Sequence, residues 1–356
     1  MTFVMAGGGS GGHVIPSLAV AQELRSRGHE CVFIGTRAGF EARLVPAAGF
    51  PIEYIEIGGL KRVGFMRVFR TLTQLPIGAH RVRKLFRRLR PAAIFSMGGY
   101  VAGPVVIAGW RTSVPIIVME PNAMPGFTNR RIARVAARAL LNFPEAARFF
   151  PKGRSEVTGV PVRSAFFEIP KKPHEEKITI LITGGSQGSR TLNNASRESW
   201  KRFAEANFPV RFIHQAGRNM YDELAREFAQ TGLTGEVVPF IDDMPAAFAG
   251  ADLVVCRSGA GAMAELAAAG KPSILVPLPT AADDHQLHNA QAFERAGAGR
   301  LVLDQEMNGQ RLFDEVKALR DDPEALAAVG EKARTFAHPD AARRAADVME
   351  RVSNGR

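Results

Sequence analysis

The chain has 356 residues, which exceeds the usual size of a single hydrophobic core and predicts two domains. Of these residues 46% are hydrophobic and 23% are charged, a balance that is typical of a globular protein. Its net charge is +11, and no apolar run approaches the length of about 18 residues that is needed to span a bilayer. We expect no signal peptide, because the first residues combine neither a basic start nor a long apolar segment.

The positive charge is concentrated in the first half of the chain. Residues 1–163 contain 23 Lys and Arg against 8 Asp and Glu, whereas the remainder contains 23 against 27. Residues 61–90 alone contain ten basic residues and no acidic residue. This asymmetry predicts an anionic partner for the N-terminal half.

Short apolar runs that end in glycine or a polar residue alternate with helical patterns, which is typical of an α/β fold with buried parallel strands. In the first half we predict strands at 2–6, 31–35, 92–99 and 115–120, with a helical pattern at 16–28 that ends on a glycine. The strand, glycine turn and helix pattern restarts at 178–190, after a stretch rich in Pro and Lys at 168–177.

The chain therefore reads as two successive Rossmann-like domains, residues 1–162 and 163–338. A helical pattern at 339–356 has no strand after it. The sequence does not decide whether this last helix covers the second domain or returns to the first.

Cys31 and Cys256 are the two cysteines, and each lies in an apolar, strand-like run. This placement predicts buried free thiols in a reducing compartment and gives them no metal or redox role.

Four glycine-rich turns mark the candidate sites. In the first turn, Gly7, Gly9 and Gly12 fit the G-x-G-x-x-G pattern, but the second strand ends without the acidic residue that a dinucleotide site requires. A nicotinamide-dependent dehydrogenase is therefore disfavoured. His13 follows at the start of a helix, where the helix dipole favours a neutral imidazole that is suited to act as a base.

The second turn, at 96–104, includes Tyr100, for which ordinary packing is an equal interpretation. The third, at 183–189, opens a helix with backbone N–H groups and the Ser186 hydroxyl, which together suit an anion. No P-loop motif occurs in the sequence.

The fourth turn lies in 252–279 and leads into a helix in which Glu265 is surrounded by alanine and leucine. Compensation of the helix dipole alone explains such a carboxylate. The same carboxylate is also suited to accept hydrogen bonds from two ribose hydroxyls. A polar loop is expected at 280–290, at the carboxyl end of the next strand. Its Asp283 and Asp284 are adjacent and have no second acidic cluster, so we predict no metal.

The basic segment at 61–90 also has two apolar stripes near helical spacing. The stripes predict either two amphipathic helices on the core of their own domain or a surface that docks on anionic lipid. Their members are Phe65, Val68, Phe69 and Leu72, followed by Val82, Leu85, Phe86 and Leu89.

Six motifs, taken together, resemble the MurG family of N-acetylglucosaminyltransferases over about residues 3–345. They are "GGGSGGHVIPSLAVA", "MGGYVAGP", "TGGSQGS", "FIDDM", "CRSGAGAMAE" and "DDHQLHNA". The resemblance implies the GT-B glycosyltransferase architecture, with two Rossmann-like domains whose parallel sheets face a cleft. It also implies inverting transfer of GlcNAc from UDP-GlcNAc to the MurNAc 4-hydroxyl of lipid I (undecaprenyl-pyrophosphoryl-MurNAc-pentapeptide), which forms lipid II for peptidoglycan.

The resemblance assigns roles in the N-terminal half by motif position. His13 is the implied catalytic residue, which deprotonates or orients the acceptor hydroxyl. The residues implied to contact the sugar-phosphate side of the donor are Ser10, Gly11, Gly12 and Asn122. The chain has "MEPN" and "GVPVR" where the family more often has "HEQN" and "GNPVR", which changes the neighbours of Asn122 and Arg163.

In the C-terminal half, the resemblance implies that Arg163 and Ser186 bind the pyrophosphate and that the Ile241 backbone frames the uracil. Glu265 is implied to hold the ribose, and Gln286 to contact the GlcNAc hydroxyls. No cofactor and no metal are implied, and the expected location is the cytoplasmic face of the inner membrane, as a peripheral protein.

Two alternatives stay open. The first is another GT-B enzyme, either a diacylglycerol glycosyltransferase or a UDP-GlcNAc 2-epimerase. The epimerase needs no lipid acceptor, so a membrane-facing stripe argues against it. The second is nucleic-acid binding by the basic half, which is disfavoured because no recognised binding motif occurs and the arginines alternate with aliphatic residues.

Overall fold

A computed structural model describes residues 1–9, 11–57, 65–173 and 175–355, and for residues 65–74 the backbone alone. Contacts within the chain divide it into two compact units. Unit 1 is Met1–Val162 together with His338–Arg356, and unit 2 is Arg163–Ala337. Within the described residues, no helix has the length and apolar composition that crossing a bilayer requires.

Unit 1 is built on a parallel sheet with seven strands in the part of the chain that is described. These are β1 (Thr2–Gly7), β2 (Glu30–Gly35), β3 (Ile52–Tyr54), β4 (Ala93–Gly98), β5 (Ile116–Glu120), β6 (Arg138–Leu141) and β7 (Ser155–Val157). Their spatial order is β3-β2-β1-β4-β5-β6-β7. Strands β2 and β3 are added on one side of β1, whereas β4 to β7 are added on the other side. The two turns that follow β1 and β4 therefore lie side by side, at a typical ligand-binding crevice.

The helices of unit 1 connect these strands. They are α1 (Gly11–Ser26), α2 (Glu41–Ala47), α3 (Phe65–Leu89), α4 (Gly99–Arg111) and α5 (Phe127–Ile132). The central strands β1, β4 and β5 are buried along almost their whole length, as expected for a sheet covered on both faces.

The basic segment forms one helix rather than the two that its stripes predict. Helix α3 continues through Pro76, which removes one backbone donor and leaves the remaining turns of the helix hydrogen-bonded. Val82 and Phe86 of the second stripe are buried in the core of unit 1, so this half of the pattern reflects packing. Residues 61–64 and the side chains of the first stripe lie outside the described residues.

Unit 2 repeats the architecture with a six-stranded parallel sheet among its described residues. The strands are β8 (Ile178–Thr183), β9 (Val210–Gln215), β10 (Thr234–Val238), β11 (Leu253–Cys256), β12 (Ser273–Leu275) and β13 (Arg300–Leu301), in the spatial order β10-β9-β8-β11-β12-β13. The reversal between β8 and β11 places the third and fourth glycine-rich turns beside each other.

Helices α6 to α12 connect the strands of unit 2 and follow the last of them. They are α6 (Arg190–Glu205), α7 (Tyr221–Ala229), α8 (Met244–Gly250), α9 (Ala260–Ala269), α10 (His285–Arg295), α11 (Gly309–Arg320) and α12 (Pro323–Arg334). Edge-to-face phenylalanine contacts tie α6 and α11 together, with the Phe203 and Phe313 ring centroids 4.9 Å apart.

The final helix, α13 (Ala341–Asn354), packs against α1 in unit 1. Arg27 at the end of α1 donates hydrogen bonds to Asp347 and Glu350, both at 2.7 Å, and His29 contacts Glu350 at 2.7 Å. The C-terminal helix therefore returns to the first unit, a question that the sequence left open.

Candidate active site

The first glycine-rich turn joins β1 to α1 and orients His13. Gly9 has a φ of +92°, which favours glycine, and a Cβ on Gly8 would lie 2.7 Å from the Glu41 carboxylate. His13 is the third residue of α1, and its Nδ1 lies 3.2 Å from the Gly8 carbonyl oxygen. Because a carbonyl only accepts, this contact places the ring hydrogen on Nδ1 and the lone pair of the neutral ring on Nε2.

A buried carboxylate holds this turn from behind. Glu41 is 1% exposed, and it accepts hydrogen bonds from the Gly9 N–H at 2.8 Å and from the Thr36 N–H and hydroxyl at 2.9 Å. Burial alone would raise its pKa, but these hydrogen bonds outweigh burial and lower the pKa of Glu41. The Gly9 N–H is thus committed within the protein, whereas Gly11 and Gly12 begin α1, where backbone N–H groups point out of the helix.

The second turn contacts the first. Gly98 and Gly99 both have positive φ, and a Cβ on Gly99 would lie 3.3 Å from His13 Nδ1. The Tyr100 hydroxyl is 3.2 Å from the hydroxyl of Thr36, which links α4 to the loop behind the first turn. The positive φ of Gly99 and the close approach of His13 together favour a residue without a side chain at position 99.

Glu120 fixes Asn122 at the end of β5. Asn122 donates to one carboxylate oxygen through both its backbone N–H and its side-chain amide, each at 3.0 Å. The other oxygen accepts from the Gly126 N–H at 3.2 Å and from the Asn129 amide at 2.9 Å. Burial raises the pKa of Glu120 to about 7, although these donors oppose the rise.

The third turn, in unit 2, is closed by glycines and capped by a serine. Gly185 and Gly188 have positive φ, and a Cβ on Gly188 would collide with the Ala216 carbonyl. Ser189 is the N-cap of α6, where its hydroxyl accepts from the Leu192 N–H. Ser186 is exposed at the tip of this turn.

Arg257, in the fourth turn, joins several parts of unit 2. Its guanidinium donates to the Ser189 hydroxyl at 2.7 Å and to the Val276 carbonyl at 3.1 Å, and it pairs with Asp304. The Thr191 hydroxyl also donates to Asp304, at 3.1 Å. This network fixes the third turn, the fourth turn and the end of β12 to one another.

The structure brings two of the expected binding residues of unit 2 together. Arg163 Nη2 lies 4.0 Å from Glu265 Oε1, and the Arg163 guanidinium lies over the Phe166 ring. Burial raises the pKa of Glu265 to about 7, and Arg163 partly offsets this rise. The Arg163 side chain is 52% exposed and that of Glu265 is 29% exposed, so both are accessible to a ligand.

Gln286 lies on a helix and not in the polar loop that the sequence predicts at 280–290. Asp283 and Asp284 adopt left-handed backbone conformations that turn the chain, and α10 begins at the next residue. The Gln286 side-chain oxygen accepts from the Leu278 N–H at 3.0 Å, and the backbone carbonyl of Gln286 accepts from the Ser258 hydroxyl at 2.8 Å. The amide is therefore fixed beside the fourth turn.

The remaining expected residues fall in several places. Ile241 is half-buried between β10 and α8, and Ser10 lies outside the described residues. His13, Gly11, Gly12 and Asn122 belong to unit 1, whereas Arg163, Ser186, Ile241, Glu265 and Gln286 belong to unit 2.

Sequence reasoning missed Glu41, Glu120, Asn129, Arg257 and Asp304. Glu120 stands two residues before Asn122 in "MEPN", and Arg257 lies inside the fourth motif, so both had a positional signal. Glu41, Asn129 and Asp304 had no such signal, because none of them lies inside one of the motifs.

The cysteines fit the prediction of buried free thiols. Burial raises the pKa of both Cys31 and Cys256 to about 12, so neither is a thiolate near neutral pH. Among the described residues, no group of three or more His, Cys, Asp or Glu side chains is arranged to hold a metal ion.

Comparison with known proteins identifies the class. Residues 3–141 match the glycosyltransferase family 28 N-terminal domain, and residues 179–345 match the glycosyltransferase family 28 C-terminal domain. Two such matches cover most of the chain, so this is a family 28 glycosyltransferase with two parallel-sheet, Rossmann-like domains.

Individual relatives narrow the class further. The UDP-N-acetylglucosamine--N-acetylmuramyl-(pentapeptide) pyrophosphoryl-undecaprenol N-acetylglucosamine transferase of Solibacter usitatus is 61% identical over 99% of this chain and 96% of its own length. The protein of the same name from Myxococcus xanthus is 39% identical, over 98% and 92%. The crystal structure of Acinetobacter baumannii MurG has a TM-score of 0.83 and 31% identity, and covers 98% of this chain and 99% of that one. The chain belongs to the MurG family.

Proposed function

We propose that this chain transfers N-acetylglucosamine from UDP-N-acetylglucosamine to the MurNAc 4-hydroxyl of lipid I and so forms lipid II for peptidoglycan synthesis. The observation that carries the proposal is the 61% identity to a transferase of that name over nearly the full length of both chains. The His13 geometry and the pairing of Arg163 with Glu265 supply groups that suit this chemistry.

The acceptor side of the reaction uses His13. With Nδ1 donating to the Gly8 carbonyl, Nε2 takes the proton of the 4-hydroxyl as the oxygen bonds to C1 of GlcNAc. The bond between C1 and the phosphate oxygen breaks, and its electron pair leaves with UDP. Attack opposite the leaving group inverts the configuration at C1.

The donor side uses unit 2. Glu265 accepts from the ribose hydroxyls, the Ile241 backbone frames the uracil, and Gln286 contacts the GlcNAc hydroxyls. Arg163 and Ser186, with backbone N–H groups, stabilise the charge that develops on the departing pyrophosphate. Gly11, Gly12 and Asn122 bind the sugar-phosphate side from unit 1.

Incubation of the purified protein with labelled UDP-N-acetylglucosamine and a lipid I analogue tests the proposal. The expected product is the disaccharide-linked lipid, in amounts that depend on both substrates. Transfer to diacylglycerol instead would indicate the glycolipid synthase, and release of an epimerised sugar without acceptor would indicate the 2-epimerase. Either result would overturn the assignment.

We also propose that the basic face of α3 holds the protein on the cytoplasmic face of the inner membrane as a peripheral protein. Because Val82 and Phe86 are used in the core, this contact is electrostatic over residues 75–90. Each Lys or Arg near an anionic leaflet contributes about 1 kcal/mol. The exposed basic residues that face solvent here are Arg81, Arg83, Lys84, Arg87, Arg88 and Arg90.

Vesicle sedimentation tests this contact. Exchanging Arg83 and Arg87 for Glu should weaken binding to anionic vesicles at low salt by at least tenfold, because two favourable interactions of about 1 kcal/mol become repulsive. The matched control exchanges the exposed Arg202 and Arg211 of unit 2 for Glu. Equal binding of the native protein to neutral and anionic vesicles would contradict the proposal.

A further inference from the structure

One peptide group in the first turn contacts both a buried carboxylate and the ring of His13. The Gly9 N–H donates to Glu41 Oε2 at 2.8 Å, and the Gly8 carbonyl oxygen lies 3.2 Å from His13 Nδ1. This N–H and this C=O belong to the same peptide bond, in which they point in opposite directions. Glu41 and His13 are therefore connected through a single rigid unit, with one at each end.

The Glu41 carboxylate is fixed and charged. Its other oxygen, Oε1, accepts from the Thr36 N–H and hydroxyl, and the side chain is almost fully buried. Although burial opposes it, this hydrogen bonding lowers the pKa of Glu41, so the group is ionised near neutral pH. A Cβ on Gly8, Gly35 or Gly39 would collide with the Glu41 side chain. The carboxylate therefore has little freedom to move away from the peptide group.

A carboxylate in this position changes the properties of His13. Accepting the Gly9 N–H polarises the peptide bond and increases the negative charge on the Gly8 oxygen, because amide resonance and hydrogen bonding reinforce each other. A more negative oxygen is a better acceptor for the hydrogen on Nδ1, which keeps the lone pair of the neutral ring on Nε2. The charge of Glu41 also stabilises the imidazolium that forms when Nε2 accepts a proton.

The titratable groups that contact the first turn from neighbouring helices include Glu41 of α2 and Tyr100 of α4, whose ring lies beside the turn. Helix α13 also packs against α1, but its Asp347 and Glu350 pair with Arg27 at the far end of that helix. The carboxylate of Glu41 is therefore the charge that the structure places at the peptide group next to the ring.

We propose that Glu41 is a positioning residue that acts on His13 through the peptide group between Gly8 and Gly9: it keeps the ring hydrogen on Nδ1 and makes Nε2 a stronger base for the acceptor hydroxyl. The inference rests on the proposed function for the role of His13 as a base. The tautomer and the charge effect are properties of the protein without substrate. The alternative is that Glu41 closes the turn and leaves the ring unaffected.

Nitrogen NMR of protein labelled at histidine measures the ring without any substrate. The chain has eight histidines, and His13→Asn identifies the signals of this one. The neutral ring of the wild type should carry its hydrogen on Nδ1. In Glu41→Gln this preference should weaken, and the midpoint of the ring titration should fall by roughly one pH unit, because the charge that favours the imidazolium is lost. A midpoint that is the same in both proteins would overturn the proposal.

Two further variants separate this effect from general damage to the turn. Gly39→Ala places a Cβ against Oε2 of Glu41 and displaces it from the Gly9 N–H, so the midpoint should fall in the same direction by a smaller amount. Thr36→Val is the matched control, because it removes a hydrogen bond to Oε1 but keeps the charge and the Gly9 contact. Its midpoint should stay close to that of the wild type.

Thermal unfolding shows whether each variant is folded. If Glu41→Gln does not fold, Gly39→Ala provides the same test, since the end of a flexible side chain can move aside at little cost. Equal shifts of the midpoint in Gly39→Ala and Thr36→Val would mean that any disturbance behind the turn reaches the ring, and would overturn a specific path through the peptide group.

Steady-state kinetics separate this inference from the proposed function. In Glu41→Gln, kcat should fall about tenfold, the effect expected from loss of a hydrogen bond to a charged group, and the KM for UDP-N-acetylglucosamine should change far less. A raised KM with a normal kcat would place Glu41 in support of the donor site and overturn the proposal. A shifted NMR midpoint in a protein that transfers sugar to no acceptor would support the coupling of Glu41 to His13 and refute the transferase instead.

Discussion

The guanidinium of Arg257 donates a hydrogen bond to the hydroxyl of Ser189 at 2.7 Å, and through this bond the fourth glycine-rich turn holds the helix cap that follows the third. Asp304 orients the same guanidinium and also accepts from Thr191 in the first turn of α6. The position of the exposed turn around Ser186 therefore depends on residues that are far from it in the sequence.

Arg257→Lys should weaken UDP binding far more than uridine binding. A lysine cannot keep the Ser189, Val276 and Asp304 contacts together, and loss of a charged hydrogen bond costs about 2 kcal/mol, or roughly 30-fold in affinity. Because the third turn is proposed to bind the pyrophosphate, we expect the affinity for UDP to decrease and the affinity for uridine, which has no phosphate, to change little. Calorimetric titration with UDP and with uridine measures the difference.

Asp304→Asn is the companion variant, and it should show a smaller loss of the same kind. Thermal unfolding of both variants controls for general damage to unit 2. An equal loss of UDP and uridine affinity would mean that the network supports the fold and has no specific effect on the phosphates.

Donor binding should weaken in mild acid because of Glu265. In the proposed donor site, ribose hydroxyls donate to the ionised carboxylate of Glu265, and burial raises the pKa of this group without ligand to about 7. The ionised form predominates above pH 7 and is lost as the pH falls, so affinity should decrease about tenfold between pH 8 and pH 6. In Glu265→Gln this pH dependence should be absent, with weaker binding already at pH 8.

The ligand for this titration should be UDP-N-acetylglucosamine. The terminal phosphate of UDP itself titrates near pH 6, as phosphate monoesters do, whereas each phosphate of the sugar nucleotide has one ester and one anhydride linkage and no second proton that titrates near neutral pH. If the affinity for UDP-N-acetylglucosamine decreased equally with falling pH in the wild type and in Glu265→Gln, another group would be the source of the pH dependence.

Much of the fold follows from local patterns in the sequence. Apolar runs that end in glycine predicted the central strands; the first run, predicted at 2–6, forms β1 at Thr2–Gly7. Such strands are recognisable because burial on both faces requires nearly continuous apolar residues. The helix at Gln286 was missed because two left-handed aspartates, which no pattern revealed, start α10 early.

The chemistry behind the turns was not accessible from the sequence. Glu41 lies 32 residues from Gly9, yet its buried carboxylate closes the first turn. Pairing at such distances depends on how the strands are arranged, and a single sequence does not encode it in any local pattern. The glycines of the turns can be predicted from the sequence, because a positive φ is a local requirement. The charged groups that hydrogen-bond to these turns cannot be predicted in the same way.

His13 should affect turnover much more than donor binding. His13→Asn keeps a side-chain N–H that can donate to the Gly8 carbonyl but removes the base, so kcat should fall by about 10²- to 10⁴-fold. The KM for UDP-N-acetylglucosamine should change less than threefold, because no contact with the donor is assigned to the His13 side chain. Steady-state kinetics measure both constants, and a variant with normal kcat would remove His13 from the reaction.

His214 should make unit 2 sensitive to acid. Its ring is buried in β9, where Nε2 lies 3.0 Å from the Asn193 side-chain oxygen, and burial lowers its pKa from 6.5 to about 4. The folded state therefore resists protonation that the unfolded state accepts. The stability contribution is complete above pH 6.5 and decreases as the pH falls to about 4, by about 3 kcal/mol in total.

His214→Gln, which can still donate to Asn193, should remove this part of the pH dependence. Urea unfolding between pH 7 and pH 4 measures it, followed by Trp200 emission in a Trp110→Phe background so that the signal reports unit 2. Other titrating groups, including Glu120, are common to both proteins and cancel in the difference. If the free energies of unfolding of the two proteins decrease in parallel with pH, the buried neutral imidazole is not the source of the acid sensitivity.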